Sequence, residues 1–266
     1  MFIIDCGKTF YDSAISILLP FLQANKQFAP FIDGVVLTHP HADACFGLDE
    51  LRQWTMVLQE NAAVYCDQQT FSTIAQAFPY LVNKECATGG GDVSDISFRM
   101  IEWNKTFEVC GVDVLPLPGT HLAWVKVVEH GIKNETEPFM CLSFHFKGIS
   151  YISDVSKISE QGLGEMKGTT KVLILDMLKG DSNSYHKSHF TFDQCIQVIE
   201  TIKPEVTFLV GMSHSTEHDK MTKKLELYEN ETGHYVRLAF DGLYLQFDDD
   251  IVHPFDPSIN LHENKM

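Results

Sequence analysis

The chain has no stretch fit to span a membrane. Although 44% of its 266 residues are hydrophobic, no apolar run approaches the roughly 20 residues a helix needs to cross a bilayer. It also lacks any Lys- or Arg-rich run. With 36 acidic residues against 20 Lys plus Arg the formal charge is −16. Such a field repels long polyanions and disfavours nucleic acid as a partner, there being no basic patch in the sequence to override it. A small anionic substrate is less affected, because a bound cation would dominate the charge at its own site. Paired cysteines are missing as well. Cys6, Cys45, Cys66, Cys86, Cys110, Cys141 and Cys195 are scattered, and no two stand in a C-x-x-C arrangement. An odd, unpaired set without a signal peptide is expected of a cytoplasmic protein. Gly89-Gly90-Gly91 lacks the Gly-Lys-Ser/Thr of a phosphate-binding P-loop, so Lys84 to Asp95 reads as a loop. There is no internal repeat. The length allows a full core, and we expect a single domain over 1–247 followed by an acidic, irregular tail over 248–266.

What the chain does have is Thr38-His39-Pro40-His41-Ala42-Asp43-Ala44, directly after the apolar run Val35-Val36-Leu37. Two histidines at i and i+2, with a carboxylate two further on, form a compact set of metal donors that a strand would deliver to a turn. Imidazole with carboxylate suits zinc, manganese or iron, and thiolate is absent. The same logic recurs along the chain. Phe139–Phe146 and Gly148–Ile152 read as a hairpin that stops at Ser153-Asp154. Lys171–Asp176 is a buried strand whose last residue either caps the next turn or supports a ligand. Val206–Val210 runs out at Gly211-Met212-Ser213-His214, with His218 four residues beyond. A third metal histidine has two candidates, His121 after Pro-Gly-Thr and His130 before Gly131.

Helices are predicted over Asp12–Gln27, disturbed by Pro20, over Gly47–Gln59, over Gln68–Phe78 before Pro79, and over the polar stretch Asp219–Glu231. Thr191 with Gln194 forms a capping box for a helix that runs to Lys203. His189 stands just before that helix, where oriented N–H groups favour an anion. It could contact a phosphate or protonate a leaving oxygen.

The phrase Val36 to Ala44, continued by Gly47-Leu48-Asp49-Glu50-Leu51-Arg52, resembles the metallo-β-lactamase superfamily. Within it the phrase is similar to the PhnP-like hydrolases, near the cyclic phosphodiesterase of phosphonate breakdown and more distantly the tRNA 3′-end endonucleases. Tyr151-Ile152-Ser153-Asp154-Val155-Ser156, His189-Phe190 and Asp241-Gly242-Leu243 match phrases of the same branch, so the resemblance runs from Phe2 to about Leu245. The segment from Ile4 to Phe10 resembles a later strand of the family, and the relatives' upstream strands have no counterpart here. The resemblance therefore implies an α/β fold, the αββα sandwich, lacking its first strands.

It also implies a hydrolase that uses one or two Zn²⁺ ions, with Mn²⁺ or Fe as alternatives. His39, His41 and His130 would hold the first ion, His130 being preferred to His121 because it keeps the following glycine. Asp43 and His214 would hold the second, with Asp154 bridging, and Asp43, His189 and His218 would serve in catalysis. Ala44 stands where the superfamily motif has His, as it does in eukaryotic members of this branch, and this removes one donor from the second position. The implied reaction is hydrolysis of a small or cyclic phosphodiester by a metal-activated hydroxide. Hydrolysis of another ester or thioester and a degenerate, non-catalytic role are the alternatives. A homodimer is left open.

Overall fold

The computed structural model describes residues 1–25, 30–89, 92–129, 132–181, 186–248 and 251–255, with the side chains of 122–138 and 247–255 outside the description. The chain divides into two compact units, Met1–Leu117 and Pro118–Met266.

The first unit is built on a four-stranded parallel sheet of β1 (Phe2–Ile4), β2 (Gly34–Val36), β3 (Ala62–Cys66) and β4 (Ile96–Met100), in that order. The register sets Phe2 opposite Gly34, Gly34 opposite Ala63 and Ala62 opposite Ile96. Parallel neighbours need crossovers, and the segments between these strands are helical. Strands covered on both faces should be continuously apolar. Accordingly Val35, Val36, Val64 and Cys66 are fully buried, and Val35, Val64 and Cys66 pack with Leu37, Cys45, Leu48, Leu51 and Ile74. Burying each large apolar side chain of this kind contributes about 1.5–3 kcal/mol.

The helix expected over Asp12–Gln27 is three segments: Phe10–Ser13, a π-helical stretch Ala14–Leu18, and Leu19–Ala24. Pro20 accounts for the break, since it offers no N–H to the preceding turn and its ring crowds that turn's carbonyl. The stretch after the histidine motif likewise opens as a 3₁₀ turn, Leu48–Leu51, before Arg52–Val57 turns α-helical. Gln68–Ala77 matches its expectation, with Asp67 accepting from the Thr70 N–H. β5 (Phe107–Val109) and the start of β6 (Val112–Glu129) form a hairpin whose two turn residues, Cys110 and Gly111, both have positive φ, as the tight turns favoured in hairpins require. Along β6 the chain passes into the second unit.

There, the sheet runs in the order β12 (Tyr235–Leu238), β11 (Val206–Val210), β10 (Val172–Asp176), β8 (Ile149–Ile152), β7 (Ile132–Phe146) and β6. β7 and β8 are antiparallel across Lys147-Gly148. β10 is parallel to β8 and to β11, which is parallel to β12. The short β9 (Lys157–Ile158) pairs with β6 through Gly119 and Thr120. Among the described residues three helices accompany the sheet: Glu160–Met166, Phe192–Ile202 and His218–Thr232. The capping box forms as expected, the Thr191 N–H donating to Gln194 Oε1 at 3.0 Å. Ile251–Phe255, in the stretch expected to be irregular, is instead a strand, β14, antiparallel to β13 (Tyr244–Asp248). No disulfide joins the seven cysteines. Among the described residues no helix is long and apolar enough to cross a membrane.

Candidate metal centre

Each unit presents its own set of donors. In the first unit, β2 delivers His39, which is buried, and His41, which is exposed, to the turn before a short helix, Ala42–Cys45. Their rings lie 4.8 Å apart, edge to face, and His39 Nε2 is 3.9 Å from Asp43 Oδ1.

A chain of hydrogen bonds sets the protonation of His39. The Thr38 N–H donates to Asp5 Oδ1 at 2.8 Å, and the Thr38 hydroxyl lies 2.9 Å from Asp5 Oδ2. An ionised carboxylate only accepts, so the hydroxyl donates to Asp5. Its oxygen then accepts from His39 Nδ1–H, 2.8 Å away. The proton rests on Nδ1, which leaves Nε2 with the lone pair a metal takes.

The backbone of Asp5-Cys6-Gly7 is pressed against the motif. Cys6 N–H donates to Ala44 O at 2.7 Å and Gly47 N–H to Cys6 O at 2.8 Å. A Cβ on Gly7 would stand 1.8 Å from Asp43 O, and one on Gly47 2.1 Å from Gly7 O. Asp5 itself has φ of 62°, a left-handed conformation that Asp and Asn tolerate better than most residues. The nearby thiol of Cys45 is pushed up to about 12 by burial and then by Asp5 and Asp43. It stays protonated, donates to Pro40 O at 3.3 Å and packs as a small apolar group.

In the second unit the donors are His121, Asp154 and His189, whose ligand atoms all lie within 4.8 Å of one another. His121 is buried on β6, and its Nδ1 is 2.5 Å from the Asp154 carbonyl oxygen, so Nδ1 carries the proton. Asp154 follows β8 at φ of 52°. His189 Nδ1 lies 3.1 Å from Oδ2 of Asp176, the buried last residue of β10, and 3.8 Å from Asp154 Oδ1. Burial holds the Asp176 carboxyl above its ordinary value, opposed only in part by His189 and by hydrogen bonds from the Phe190 and Val155 N–H groups. An ionised Asp176 fixes the His189 proton on Nδ1 and turns Nε2 outward. The rings of His121 and His189 meet edge to face at 5.0 Å.

The remaining expected residues are placed as follows. His130 lies outside the described residues. His121, the candidate ranked second in the sequence, is the histidine found beside Asp154. His214 is exposed after β11, and His218 is exposed as the first residue of its helix. Among the described residues neither joins a group of metal-type donors. The roles of Asp5 and Thr38 escaped sequence reasoning, although Asp5 carried a local signal as a carboxylate at a strand end before glycine. Imidazoles with their protons fixed on Nδ1 by oxygen partners, standing beside carboxylates, are the donor chemistry of a zinc-type site.

Residues 1–212 match the model of the beta-lactamase superfamily domain. The chain is 24% identical over 214 residues to an octanoyltransferase of Porphyromonas gingivalis (strain ATCC BAA-308 / W83), a match that covers 80% of this chain but only 36% of that protein's length. Among solved structures it is similar to a diphosphatase from the PhnP family, with a TM-score of 0.68 and 22% identity over 93% of this chain and 80% of that one. It is also similar to the metallo-beta-lactamase fold protein YhfI from Bacillus subtilis, with a TM-score of 0.62 and 14% identity over 90% of this chain and 83% of that one. At such identities the structural likeness is one of fold. The extent of the family match and the likeness of fold lead to one conclusion: the chain belongs to the beta-lactamase superfamily and has the metallo-β-lactamase fold.

Proposed function

We propose that the chain is a metal-dependent phosphodiesterase of the PhnP-like branch, acting on a small or cyclic phosphodiester. The observation that carries this is the control of imidazole protonation: Asp5 through Thr38 for His39, the Asp154 carbonyl for His121, and Asp176 for His189. Oriented in this way, the Nε2 lone pairs are ready for a cation or a substrate proton. His39, His41 and Asp43 in the first unit and His121 and Asp154 in the second are the proposed metal donors. His214 is a further donor by resemblance. Zn²⁺ is the ion we favour, with Mn²⁺ or Fe as alternatives. When bound, such an ion lowers the pKa of water toward neutrality and offsets charge on a phosphate.

The other roles fall to the chain's own groups. His189 precedes the eleven-residue helix Phe192–Ile202, whose N-terminal field favours an anion. When the ring is protonated, its Nε2–H donates to a phosphate oxygen or gives its proton to the leaving oxygen. Asp176 steadies that imidazolium. Asp43 and His218 would assist in positioning. The likeness to a diphosphatase supports phosphorus chemistry, whereas the likeness to an octanoyltransferase supports an acyl ester or thioester as the second reading. The unpaired thiol chemistry of the chain supports a cytoplasmic setting.

The deciding experiment pairs elemental analysis of protein purified without chelator with hydrolysis of bis(p-nitrophenyl) phosphate. We expect one or two ions per chain and turnover that disappears in a His41→Ala, Asp154→Asn double variant. Turnover that survives in that variant overturns the mechanism. A protein with neither metal nor turnover is the degenerate member instead.

A further inference from the structure

The loop before the helix Phe192–Ile202 carries a second histidine that the site described above does not use. His186 stands three residues before His189, and the two rings lie 5.2 Å apart at an angle of 47°. Backbone bonds hold the chain around His189 against the segment after β10: Leu178 N–H donates to Phe190 O at 3.0 Å and Phe192 N–H to Lys179 O at 2.8 Å. The two histidines are wired in opposite senses. His189 Nδ1 faces Asp176 Oδ2 and keeps its proton there. His186 Nδ1 instead accepts the N–H of Ser188 at 3.3 Å. A backbone N–H can only donate, so His186 Nδ1 holds a lone pair, the ring is neutral and its proton sits on Nε2. We propose that His186 is a substrate contact of this site, donating from Nε2 to an oxygen of the same anion that His189 serves.

The division of labour follows from the chemistry. A general acid must gain and lose a proton, and His189 can do so with Asp176 beside it. A second ring titrating next to it would repel the imidazolium. A neutral N–H donor adds a hydrogen bond to a phosphate oxygen without that repulsion, and it is preorganised because its own loop fixes the tautomer. The surroundings keep His186 neutral: burial, then His189 and Lys179, pull its pKa below the ordinary value against the opposing charge of Asp176. Among the described residues its Nε2 has no hydrogen-bond partner, so the donor is available. Rings this close can both reach one tetrahedral anion at ordinary hydrogen-bond distances. The same wiring sets His186 apart from the metal donors. Its lone pair is taken by Ser188, whereas His121 holds its proton on Nδ1 and its lone pair on Nε2.

The proposal rests on the phosphodiesterase reading only for the identity of the anion, and the test separates the two. Long-range ¹H–¹⁵N spectra of the histidine rings are recorded on zinc-loaded protein near neutral pH, alone and with inorganic phosphate. We expect His186 protonated at Nε2 and His189 at Nδ1, with a saturable shift of the His186 Nε2–H on adding phosphate. A His186 protonated at Nδ1 or at both nitrogens overturns the proposal. So does a His186 that phosphate leaves unmoved, whether or not His189 shifts. Hydrolysis of bis(p-nitrophenyl) phosphate is then compared between variants. His186→Ala should lower kcat/KM about three- to tenfold, the size of one lost neutral hydrogen bond. His186→Gln, whose amide N–H₂ can donate in place of Nε2–H, should recover most of that loss. An unchanged rate in His186→Ala, or equal losses in both variants, overturns the contact. If the wild type leaves the ester intact but the phosphate shift of His186 persists, the anion contact stands and the phosphodiesterase reading falls.

Discussion

Asp5 shows how much one side chain can govern through a neighbour. It fixes the Thr38 hydroxyl and thereby the proton on His39. Asn at this position keeps the left-handed backbone but turns an amide N–H₂ toward a hydroxyl that must donate. We therefore expect Asp5→Asn to leave the fold intact and to weaken metal binding about 10- to 100-fold, measured by competition with a chromogenic chelator. Equal affinity would show that the relay is idle.

His145 gives a prediction in pH. Its Nδ1 lies 2.8 Å from Ser150 Oγ, which is 2.7 Å from Thr170 Oγ1, whose hydroxyl donates to Met166 O. That order makes His145 the donor at Nδ1. Burial pulls its pKa below the ordinary 6.5, opposed by Glu165. The unfolded chain therefore takes up the proton first as pH falls through 6.5, so this contribution to stability is present above 6.5 and declines below it. Tm should drop on that acid side, and His145→Gln should flatten the drop.

At this scale the sequence was legible where a strand runs straight into a polar turn, as at His39, His41, Asp43 and Asp154. It could not tell that His121 would stand beside Asp154, because that placement depends on β6 pairing with β9, Thr120 opposite Lys157, while His130 lies outside the described residues. No local pattern announces a contact between segments that far apart.

Among the elements, the tightest fit is between the Asp5-Cys6-Gly7 turn and the helix that opens the metal motif. Gly7 is required there by space rather than by φ, since a Cβ would meet the Asp43 carbonyl oxygen. Gly7→Ala must push the two segments apart, at a cost of about 1–3 kcal/mol for overpacking, and should loosen Asp43 with them. Thermal unfolding and metal titration of the variant check both effects, and an unchanged Tm would show that the contact is softer than its geometry. Periodicity found the Gln68–Ala77 helix within one residue of its end, because it is amphipathic and bounded by Asp67 and Pro79. The same reasoning gave the first helix as one piece with a flaw, and Pro20 in fact divides it with a π-helical segment. β14 went unseen because a short, acidic-flanked strand gains its identity only from its partner β13.

For the whole molecule, removal of metal is the broadest test. A ligand that binds only the folded state stabilises it according to its concentration relative to its dissociation constant, by about 2.7 kcal/mol at a hundredfold excess. Dialysis against a chelator should therefore lower Tm and abolish hydrolysis together, and zinc should restore both. A Tm indifferent to chelator would show that the donors hold no ion in the native protein. Finally, the contact between Asp5 and Thr38 spans 33 residues and lies just beyond the register that pairs Ile4 with Val36. His39 is thus not poised as a ligand until β1 has found β2. Metal capture in this unit waits on a non-local, slow-forming strand pairing, and a newly made chain cannot sequester its ion before that much of its architecture is in place.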